Sequence, residues 1–392
     1  MKRNMIKLGD VATYINGYAF KPEDRGEVGL PIIRIQDLTG NAYDLGFYNG
    51  DYPKRIEIND GDVLISWSAS LGVYVWNRGR ALLNQHIFKV QFDKVNIDES
   101  YFVYAVRQKL AEMAMKTHGA TMKHIVKKDF EETLIPYPSL KKQIEIGTNL
   151  DKIANIIVAR KQQLELLDEL VKARFVEMFG DARKNPNKYD TVSFIDIVEY
   201  MGDIGSNGAN KVVVDHLDMK DKEDYAMMVR FTNFTKNDFT DDVKYVSKEA
   251  YDFFKKSQIF GGELIICKIG SAGQNYVMPY LNRPVSLGLN QIMVRIKDNI
   301  LMPYLYQYLH TDYGEFLISG CINGAVTKTI TKTELKKIPV MLPPMELQRE
   351  FVAFVEQVDK SKVSLYYKNR KGGFPPLLFI YSVTTITNLP GC

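Results

Sequence analysis

The chain has 392 residues and a net charge of +4, and 45% of its residues are hydrophobic. This length is enough for two or three domains that each bury a core, and the composition is that of a globular protein rather than a fibrous or disordered one. The charge permits nucleic-acid binding without requiring it. Cys267, Cys321 and Cys392 have no paired spacing, which argues against a disulfide framework or a zinc motif. No apolar signal segment follows Met1, so we expect a cytoplasmic protein with no membrane contact.

Residues 1–140 form the first predicted module, in which short β-branched and aromatic runs alternate with Gly, Asn, Asp and Pro. This pattern indicates an α/β module. The strand-like run at residues 32–39 carries Arg34 and Gln36, whose side chains are of types that pair with guanine or adenine, although these positions could equally hold loop carbonyls. Lys21 ends a glycine-containing loop and is either a clamp on a DNA backbone or part of a surface turn.

Basic residues cluster near the end of this module. A helix-like segment at residues 99–116 precedes a turn at Gly119 and Ala120. Between residues 107 and 128 the only acidic residue near the lysines before and at this turn is Glu112. Lysines near such a turn suit phosphate contacts, and amides or a histidine suit base edges; the alternative is a solvated helix face. The candidate DNA contacts here are Lys123, His124, Lys127 and Lys128.

Residues 141–180 form a predicted long spacer helix. Its apolar positions advance by alternating steps of three and four, which is the seam of a coiled coil. At about 1.5 Å per residue the helix would be about 60 Å long, which is too long to pack on one small module. Gly180 is available as its left-handed cap. The candidate subunit-interface residues of this helix are Leu150, Ile153, Ile157, Leu164, Leu167 and Val171.

Residues 181–343 form a second predicted module that repeats the landmarks of the first in the same order. Residues 32–39, 61–66, 83–85, 119–125 and 134–143 recur as residues 228–235, 262–267, 289–291, 324–330 and 338–348. Glycine, proline and glutamine landmarks in the same order indicate a duplicated unit, and two copies suit a two-fold partner such as duplex DNA. The candidate DNA contacts of this module are Lys211, Arg230, Asn233, Lys328, Thr329 and Lys332.

A second, shorter spacer helix is predicted at residues 344–371. Phe351, Phe354 and Val358 form its seam and are candidate interface residues. Antiparallel pairing of the two helices would place the modules at opposite ends of a rod. Gly-Gly and Pro-Pro pairs follow Lys371 and break helices, so residues 372–392 are predicted to be an atypical tail.

The sequence contains no recognisable catalytic motif. It has no Walker phosphate loop, no dinucleotide GxGxxG and no Asn-Pro-Pro-aromatic motif of the amino-methyltransferases. The histidines lack metal-ligand spacing. Glu334 and Lys336 have the Glu-x-Lys spacing of many metal-dependent nucleases, but no strand-borne Asp precedes them. We therefore predict no catalytic residues and no metal site.

The duplicated order of motifs resembles the DNA-sequence specificity subunit of type I restriction-modification enzymes. In each half a Gly-x-x-x-Lys turn is followed by a Pro-containing strand, by Gln143 or Gln348, and by a long helix. The resemblance extends over about residues 5–370. It implies a fold of two similar α/β target-recognition domains, separated by long helices that pair as an antiparallel coiled coil, with a pseudo-two-fold internal repeat.

The resemblance also implies a function. Each domain would read one half of a bipartite, asymmetric site in double-stranded DNA, and the helices would dock two modification subunits, which restriction subunits would join. Those partners would use S-adenosylmethionine to methylate adenine, and ATP and Mg to translocate and cleave DNA. No cofactor is expected on this chain, which would guide catalysis without performing it.

Two alternatives belong to other classes. The chain could be the DNA-recognition fragment of a fused methyltransferase or nuclease, or a coiled-coil scaffold with no role on DNA. Methyl transfer by the isolated chain would favour the first alternative. Absent or salt-insensitive DNA binding would favour the second.

Overall fold

The computed structural model describes residues 4–40, 45–115 and 124–367. It divides into two compact units, which we describe separately: unit 1, Met1–Ala159, and unit 2, Arg160–Cys392. Both are mixed α/β, as the sequence predicts. The predicted tail at residues 372–392 lies outside the described residues, as does the turn at Gly119 and Ala120.

Unit 1 contains short strands and mostly short helices. Its strands are β1 (Met5–Lys7), β2 (Thr13–Asn16), β3 (Leu30–Ile33), β4 (Gly46–Tyr48), β5 (Glu57–Ile58), β6 (Val63–Ser66), β7 (Gly72–Val75), β8 (Ala81–Leu83), β9 (Ile87–Gln91) and β10 (Leu134–Pro136). Its helices are α1 (Leu8–Val11), α2 (Ile35–Thr39), α3 (Glu99–Met115), α4 (Lys127–Glu131) and α5 (Leu140–Phe179), which continues into unit 2.

Two four-stranded sheets organise the described part of unit 1. One has the antiparallel order β2-β9-β6-β7 and the other the order β4-β3-β8-β5, in which β3 and β8 are parallel. Strand β1 pairs with β10. Helix α3 buries Phe102, Val106 and Met113 in the same core as residues of the first sheet. The spacing of these α3 positions places them on one face of the helix.

Unit 2 repeats this arrangement. Its strands are β11 (Asp190–Ser193), β12 (Val198–Gly202), β13 (Ala226–Val229), β14 (Lys244–Val246), β15 (Gln258–Ile259), β16 (Leu264–Cys267), β17 (Asn275–Val277), β18 (Val285–Leu287), β19 (Gln291–Ile296), β20 (Ile322–Asn323), β21 (Thr329–Ile330) and β22 (Pro339–Leu342). Its helices after α5 are α6 (Asn210–His216), α7 (Phe231–Lys236), α8 (Lys248–Phe253), α9 (Met302–Leu309), α10 (Asp312–Gly320), α11 (Lys332–Leu335) and α12 (Met345–Tyr367).

The strand orders of the two units match. In unit 2 they are β12-β19-β16-β17 and β14-β13-β18-β15, and β11 pairs with β22 as β1 pairs with β10. Strand β3 is parallel to β8, and β13 is likewise parallel to β18. The predicted duplication is therefore a duplication of topology.

One detail of the predicted alignment is wrong. Ile33 pairs with Leu83 in unit 1, and Val229 pairs with Leu287 in unit 2, so Leu83 corresponds to Leu287 rather than to Leu289. The Leu-Asn-Gln letters recur two residues away from the structural equivalence. Strand pairing decides the equivalence, because the same two parallel strands pair in both units and fix which residues are opposite each other.

A buried glutamine fixes the start of each long helix. The Gln143 side-chain oxygen accepts the Asp98 N–H at 3.0 Å, and its Nε2 donates to the Pro138 carbonyl at 2.8 Å. Gln348 repeats both bonds, accepting the Leu301 N–H at 2.9 Å and donating to the Pro343 carbonyl at 2.9 Å. The two side chains are 1% and 0% exposed. Each predicted glutamine landmark therefore ties its helix to its own unit.

Within unit 2, the last turns of α5 run antiparallel to α12. Arg174 pairs with Glu350 at 2.7 Å, whereas the earlier Asp168 pairs with the later Lys362 at 2.7 Å. The aromatic rings of Phe175 and Phe179 pack against Phe351, with centroids 5.6 Å apart in both cases. Gly180 ends α5 with a φ of 79°, in the left-handed conformation predicted for it.

Candidate nucleic-acid interface

An ionic cluster forms at a strand end of unit 2. Asp203 follows β12 and accepts hydrogen bonds from the Lys268 ammonium at 2.8 Å and the Lys332 ammonium at 3.0 Å. Ser206 donates to the same carboxylate at 3.0 Å and accepts from Lys332 at 3.1 Å. The side chain of Asp203 is only 9% exposed, while those of Lys268 and Lys332 are 37% and 34% exposed. The carboxylate is therefore buried under two ammonium groups that water reaches.

The electrostatics of this cluster favour the charged carboxylate. Burial by itself would raise the pKa of Asp203, but the hydrogen bonds from Lys268, Lys332 and Ser206 outweigh it and lower that pKa to about 2. The group is ionised at neutral pH. One negative and two positive charges leave the cluster with a net charge of +1.

Backbone hydrogen bonds hold Lys268 beside the predicted basic turn. The Lys268 N–H donates to the Asn290 carbonyl at 2.7 Å, and the Lys268 carbonyl accepts the Ile330 N–H at 3.0 Å. The Gly270 N–H donates to the Lys328 carbonyl at 3.1 Å. The turn that carries Lys328 is thereby attached to the end of strand β16, and Lys328 is exposed there.

The corresponding place in unit 1 is aromatic. The Trp67 indole N–H donates to the Asn16 side-chain oxygen at 3.2 Å. The Trp67 ring lies nearly parallel to Phe88, with centroids 5.7 Å apart, and meets the edges of His86 at 4.8 Å and His124 at 6.4 Å. Burial, followed by the neighbouring His124, lowers the pKa of His86. A partly buried aromatic ring therefore stands where unit 2 has charges.

The same backbone bonds define this equivalence. The Trp67 N–H donates to the His86 carbonyl at 3.1 Å, and the Trp67 carbonyl accepts the Ile125 N–H at 3.0 Å. Strand pairs place Ser68 opposite His124 and Ile269 opposite Thr329. The corresponding pairs are Asn16 with Asp203, Trp67 with Lys268, His86 with Asn290, His124 with Thr329, and Lys127 with Lys332. His86 and Asn290 both have positive φ, at 73° and 60°. The framework is shared, and its side chains differ.

The predicted phosphate contacts lie around these two places. Lys127 is exposed, donates to the Tyr14 carbonyl at 3.2 Å and lies 3.6 Å from Glu131. Lys128 is exposed on the same short helix, whereas Lys123 lies outside the described residues. The other predicted contacts divide by exposure, with Lys21, Gln36, Lys211 and Lys328 exposed and His124, Thr329 and Lys332 partly buried.

Arg34, Arg230 and Asn233 have structural roles that the sequence did not predict. The backbone N–H of Arg34 and its Nε both donate to Asp37, at 2.8 and 3.2 Å, at the start of α2. Asn233 is the counterpart of Asp37; it is 2% exposed, accepts the Arg230 N–H at 2.9 Å and donates to the Asp238 carbonyl at 3.1 Å.

The prediction that Asn233 contacts a base is therefore wrong, because the fold buries its amide and uses both of its polar atoms. Arg230 forms an ion pair with Asp242, 3.2 Å away. Base contacts by Arg34 and Arg230 stay predictions.

The predicted helix interface is also partly internal. Val171, Phe351 and Val358 are buried in the core of unit 2, so the prediction that they contact partner subunits is wrong. Leu167 and Phe354 pack against the same core. Leu150 and Leu164 are partly buried, whereas Ile153 and Ile157 are 53% and 50% exposed. A seam pattern identifies apolar positions but does not say which neighbour covers them.

Sequence reasoning missed Asn16, Trp67, His86, Asp203 and Lys268. A signal was available, because Trp67 and Lys268 directly follow the repeated strand motifs at residues 61–66 and 262–267. Comparing the residue after each repeated motif would have found both. In the part of the chain that the structure describes, no cluster of His, Cys, Asp or Glu could hold a metal ion, and no helix is long and apolar enough to span a bilayer.

Two α/β modules of the same topology, together with the long helix α5, define a class of internally duplicated α/β proteins. The family model of the type I restriction modification DNA specificity domain matches residues 2–167 and 197–370, so the chain belongs to this family of specificity subunits. Over 380 residues it is 23% identical to the type I restriction enzyme EcoBI specificity subunit of Escherichia coli, covering 90% of this chain and 78% of that protein.

Two further similarities extend over most of the chain. The type I restriction enzyme MjaVIII specificity subunit of Methanocaldococcus jannaschii is 19% identical, with 91% of this chain and 85% of that protein covered. The crystal structure of the type I restriction-modification system S subunit from M. genitalium superposes with a TM-score of 0.56 at 13% identity. It covers 94% of this chain and 92% of that one, which shows a shared fold.

Proposed function

We propose that each unit reads one half of a bipartite, asymmetric site in double-stranded DNA. A spacer of unspecified sequence would separate the two half-sites. The observation that carries this proposal is the pair of equivalent strand-end clusters, which share a backbone framework but differ in side-chain chemistry. Unit 1 presents Trp67 with two imidazoles, and unit 2 presents Lys268 on Asp203. Two modules that differ at equivalent positions suit two different half-sites.

Exposed lysines beside each cluster would contact phosphates. In unit 1 these are Lys127 and Lys128, and in unit 2 they are Lys328 and the partly exposed Lys332. Phosphate contacts fix the register of the protein on DNA without reading sequence, and base contacts beside them then supply specificity. Lys21 and Lys211 extend this set as candidate backbone clamps.

Partner subunits would dock on apolar side chains of helix α5. In unit 1, Ile153, Ile156 and Ile157 are about half exposed. In unit 2, Leu166 and Leu170 are 64% and 47% exposed and line an open groove of about 790 Å³ beside α12. Exposed aliphatic side chains grouped on a helix mark a binding surface for another protein. We propose that two modification subunits bind the helices and that restriction subunits join them.

The chemistry would belong to those partners. The modification subunits would bind S-adenosylmethionine and methylate adenine, and the restriction subunits would use ATP and Mg to translocate and cleave DNA. This chain would be a non-catalytic component without a cofactor of its own. The complex would act in the cytoplasm, where the DNA is.

The phosphate contacts are tested by the salt dependence of DNA binding. Replacing Lys127 and Lys128 with alanine in the assembled complex should weaken binding to all sequences alike. It should also reduce the slope of log affinity against log salt by about one for each lost contact. Lys328 and Lys332 should behave in the same way from the other half-site. As a control, Lys142→Ala removes an exposed lysine that pairs with Glu145 on helix α5. Slopes equal to that of the control would mean that these lysines are only solvated.

The two-reader proposal is tested by exchanging residues 1–140 for those of another family member. Methylation-sensitive sequencing of the host genome, with and without the gene, gives the recognised motif. The exchange should change one half of that motif and leave the other half and the spacer intact. A change in both halves at once would contradict two independent readers.

A further inference from the structure

The residue that directly follows the third strand of the antiparallel sheet differs in kind between the two units. In unit 1 this residue is Trp67, and in unit 2 it is Lys268, and both are held by the same pair of backbone hydrogen bonds. Each side chain contacts the residue at the end of the edge strand, which is Asn16 as the last residue of β2 in unit 1 and Asp203 directly after β12 in unit 2. The position is therefore matched at the level of backbone and neighbour, and only the chemistry changes.

Such a difference distinguishes base contacts from phosphate contacts. Every phosphate presents the same oxygens whatever the sequence, so two modules that only gripped phosphates at this position would need the same chemistry there. Base edges differ from one pair to the next, and a position that reads them differs with the base. Lys127 and Lys332, which are lysines in both units, fit the first pattern. Trp67 and Lys268 fit the second.

The chemistry of Lys268 and Trp67 indicates which base each side chain would contact. The Lys268 ammonium has three donor hydrogens, of which Asp203 accepts one, and donors in the major groove suit the O6 and N7 acceptors of guanine. Trp67 offers an apolar ring face supported by Phe88, and apolar contact in the major groove suits the methyl group of thymine. Its indole N–H is already donated to Asn16.

We propose that Trp67 and Lys268 are specificity-determining residues, with Lys268 reading a guanine in the half-site of unit 2 and Trp67 contacting a thymine methyl in the half-site of unit 1. Asp203 is a positioning residue that aims the Lys268 ammonium. Asn16 does the same for the Trp67 ring. This inference rests on the proposed function, and it adds the residues and the bases that set sequence preference.

The experiment uses the full chain assembled with its modification subunits. The complex methylates a DNA library in which both half-sites are randomised, and sequencing of the methylated molecules gives the preference at each position. Lys268→Met should lower the preference for one G·C pair in the half-site of unit 2 by about ten-fold or more, and leave the other half-site unchanged. Trp67→Ala should do the same at one A·T pair in the other half-site.

Conservative variants and a matched control separate this role from folding. Lys268→Arg and Trp67→Phe keep a donor and a ring, and should keep most of the preference at the same base pairs. Lys248→Met is the control, because it breaks an exposed Lys–Asp pair with Asp252, 2.6 Å apart, on helix α8. Asp203→Asn should reduce the preference at the Lys268 base pair while it strengthens binding to unrelated DNA, since the cluster gains positive charge.

Three results would overturn the inference. The first is that the methylated motif of Lys268→Met and of Trp67→Ala is the same as that of the Lys248→Met control. The second is uniform weakening on all sequences with a salt slope reduced by about one, which would make Lys268 a phosphate contact. The third is an Asp203→Asn variant that changes thermal stability but not the preference for any base pair. A wild-type complex without any sequence preference would instead overturn the proposed function, and this inference with it.

Discussion

Replacing Gln348 by leucine tests how helix α12 is attached to its unit. The side chain is 0% exposed and joins two backbone groups, the Leu301 N–H and the Pro343 carbonyl, each at 2.9 Å. Leucine has a similar size and neither bonding atom. Each backbone group left buried without a partner costs about 1–3 kcal/mol, so the free energy of unfolding should fall by about 2–6 kcal/mol for the two groups. This loss is a large part of the about 5–15 kcal/mol that stabilises a typical domain.

The assay is urea unfolding of the full chain, followed by circular dichroism. Gln348→Glu should lose at least as much stability as leucine, because its carboxylate can accept the Leu301 N–H but cannot donate to the Pro343 carbonyl and is buried there without a charge partner. Gln357→Leu on the exposed side of the same helix is the control and should stay within about 0.5 kcal/mol of wild type. Equal midpoints for Gln348→Leu and Gln357→Leu would refute the reasoning that these two bonds hold the helix.

Three further predictions concern packing, charge and length. Phe351→Ala should destabilise unit 2 by about 3–5 kcal/mol, because the fully buried ring packs against two phenylalanines of helix α5. The exposed Val176→Ala on that helix should change stability by less than about 0.5 kcal/mol in the same urea titration, and similar losses would contradict the assigned packing. The pKa of Asp203 is lowered from 3.8 to about 2, so its stabilising contribution is present above pH 3.8 and is lost as the pH falls through 2. Wild type should therefore lose about 2 kcal/mol more than Asp203→Asn between pH 4 and pH 2, and equal acid sensitivity would show that the two lysines do not stabilise the carboxylate. Inserting four residues near Arg160 should lengthen the helix by about 6 Å and add about two base pairs to the spacer of the methylated motif; methylation at the original spacing would exclude the helix as a ruler.

Much of the fold follows from local patterns in the sequence. The seam of residues 141–180 predicts one long helix, and the structure has α5 at Leu140–Phe179. The glutamine landmarks and Gly180 take the roles that their chemistry favours, a buried amide that satisfies two backbone groups and a left-handed cap. Patterns of this kind predict well because they depend on neighbours a few residues away along the chain.

The candidate site depended far more on the fold. Arg34 and Asn233 belong to residue types that read bases, yet a cap at a short helix uses the Arg34 guanidinium and both polar atoms of Asn233. Composition and spacing do not distinguish an asparagine that faces solvent from one that satisfies a buried helix start. Trp67 and Lys268 were missed for the converse reason, because neither belongs to a motif within its own stretch of sequence.

The sequence by itself determined the duplication, the α/β character of both halves, the long helix and the resemblance to a family of specificity subunits. All of these depend on order and periodicity, which are written along the chain. Only the tertiary structure decided that Asp203 lies under Lys268 and Lys332, and that Trp67 takes the equivalent place in the other unit. The physical reason is that strand pairing joins residues far apart in the chain, and their contacts depend on a register that no local pattern specifies.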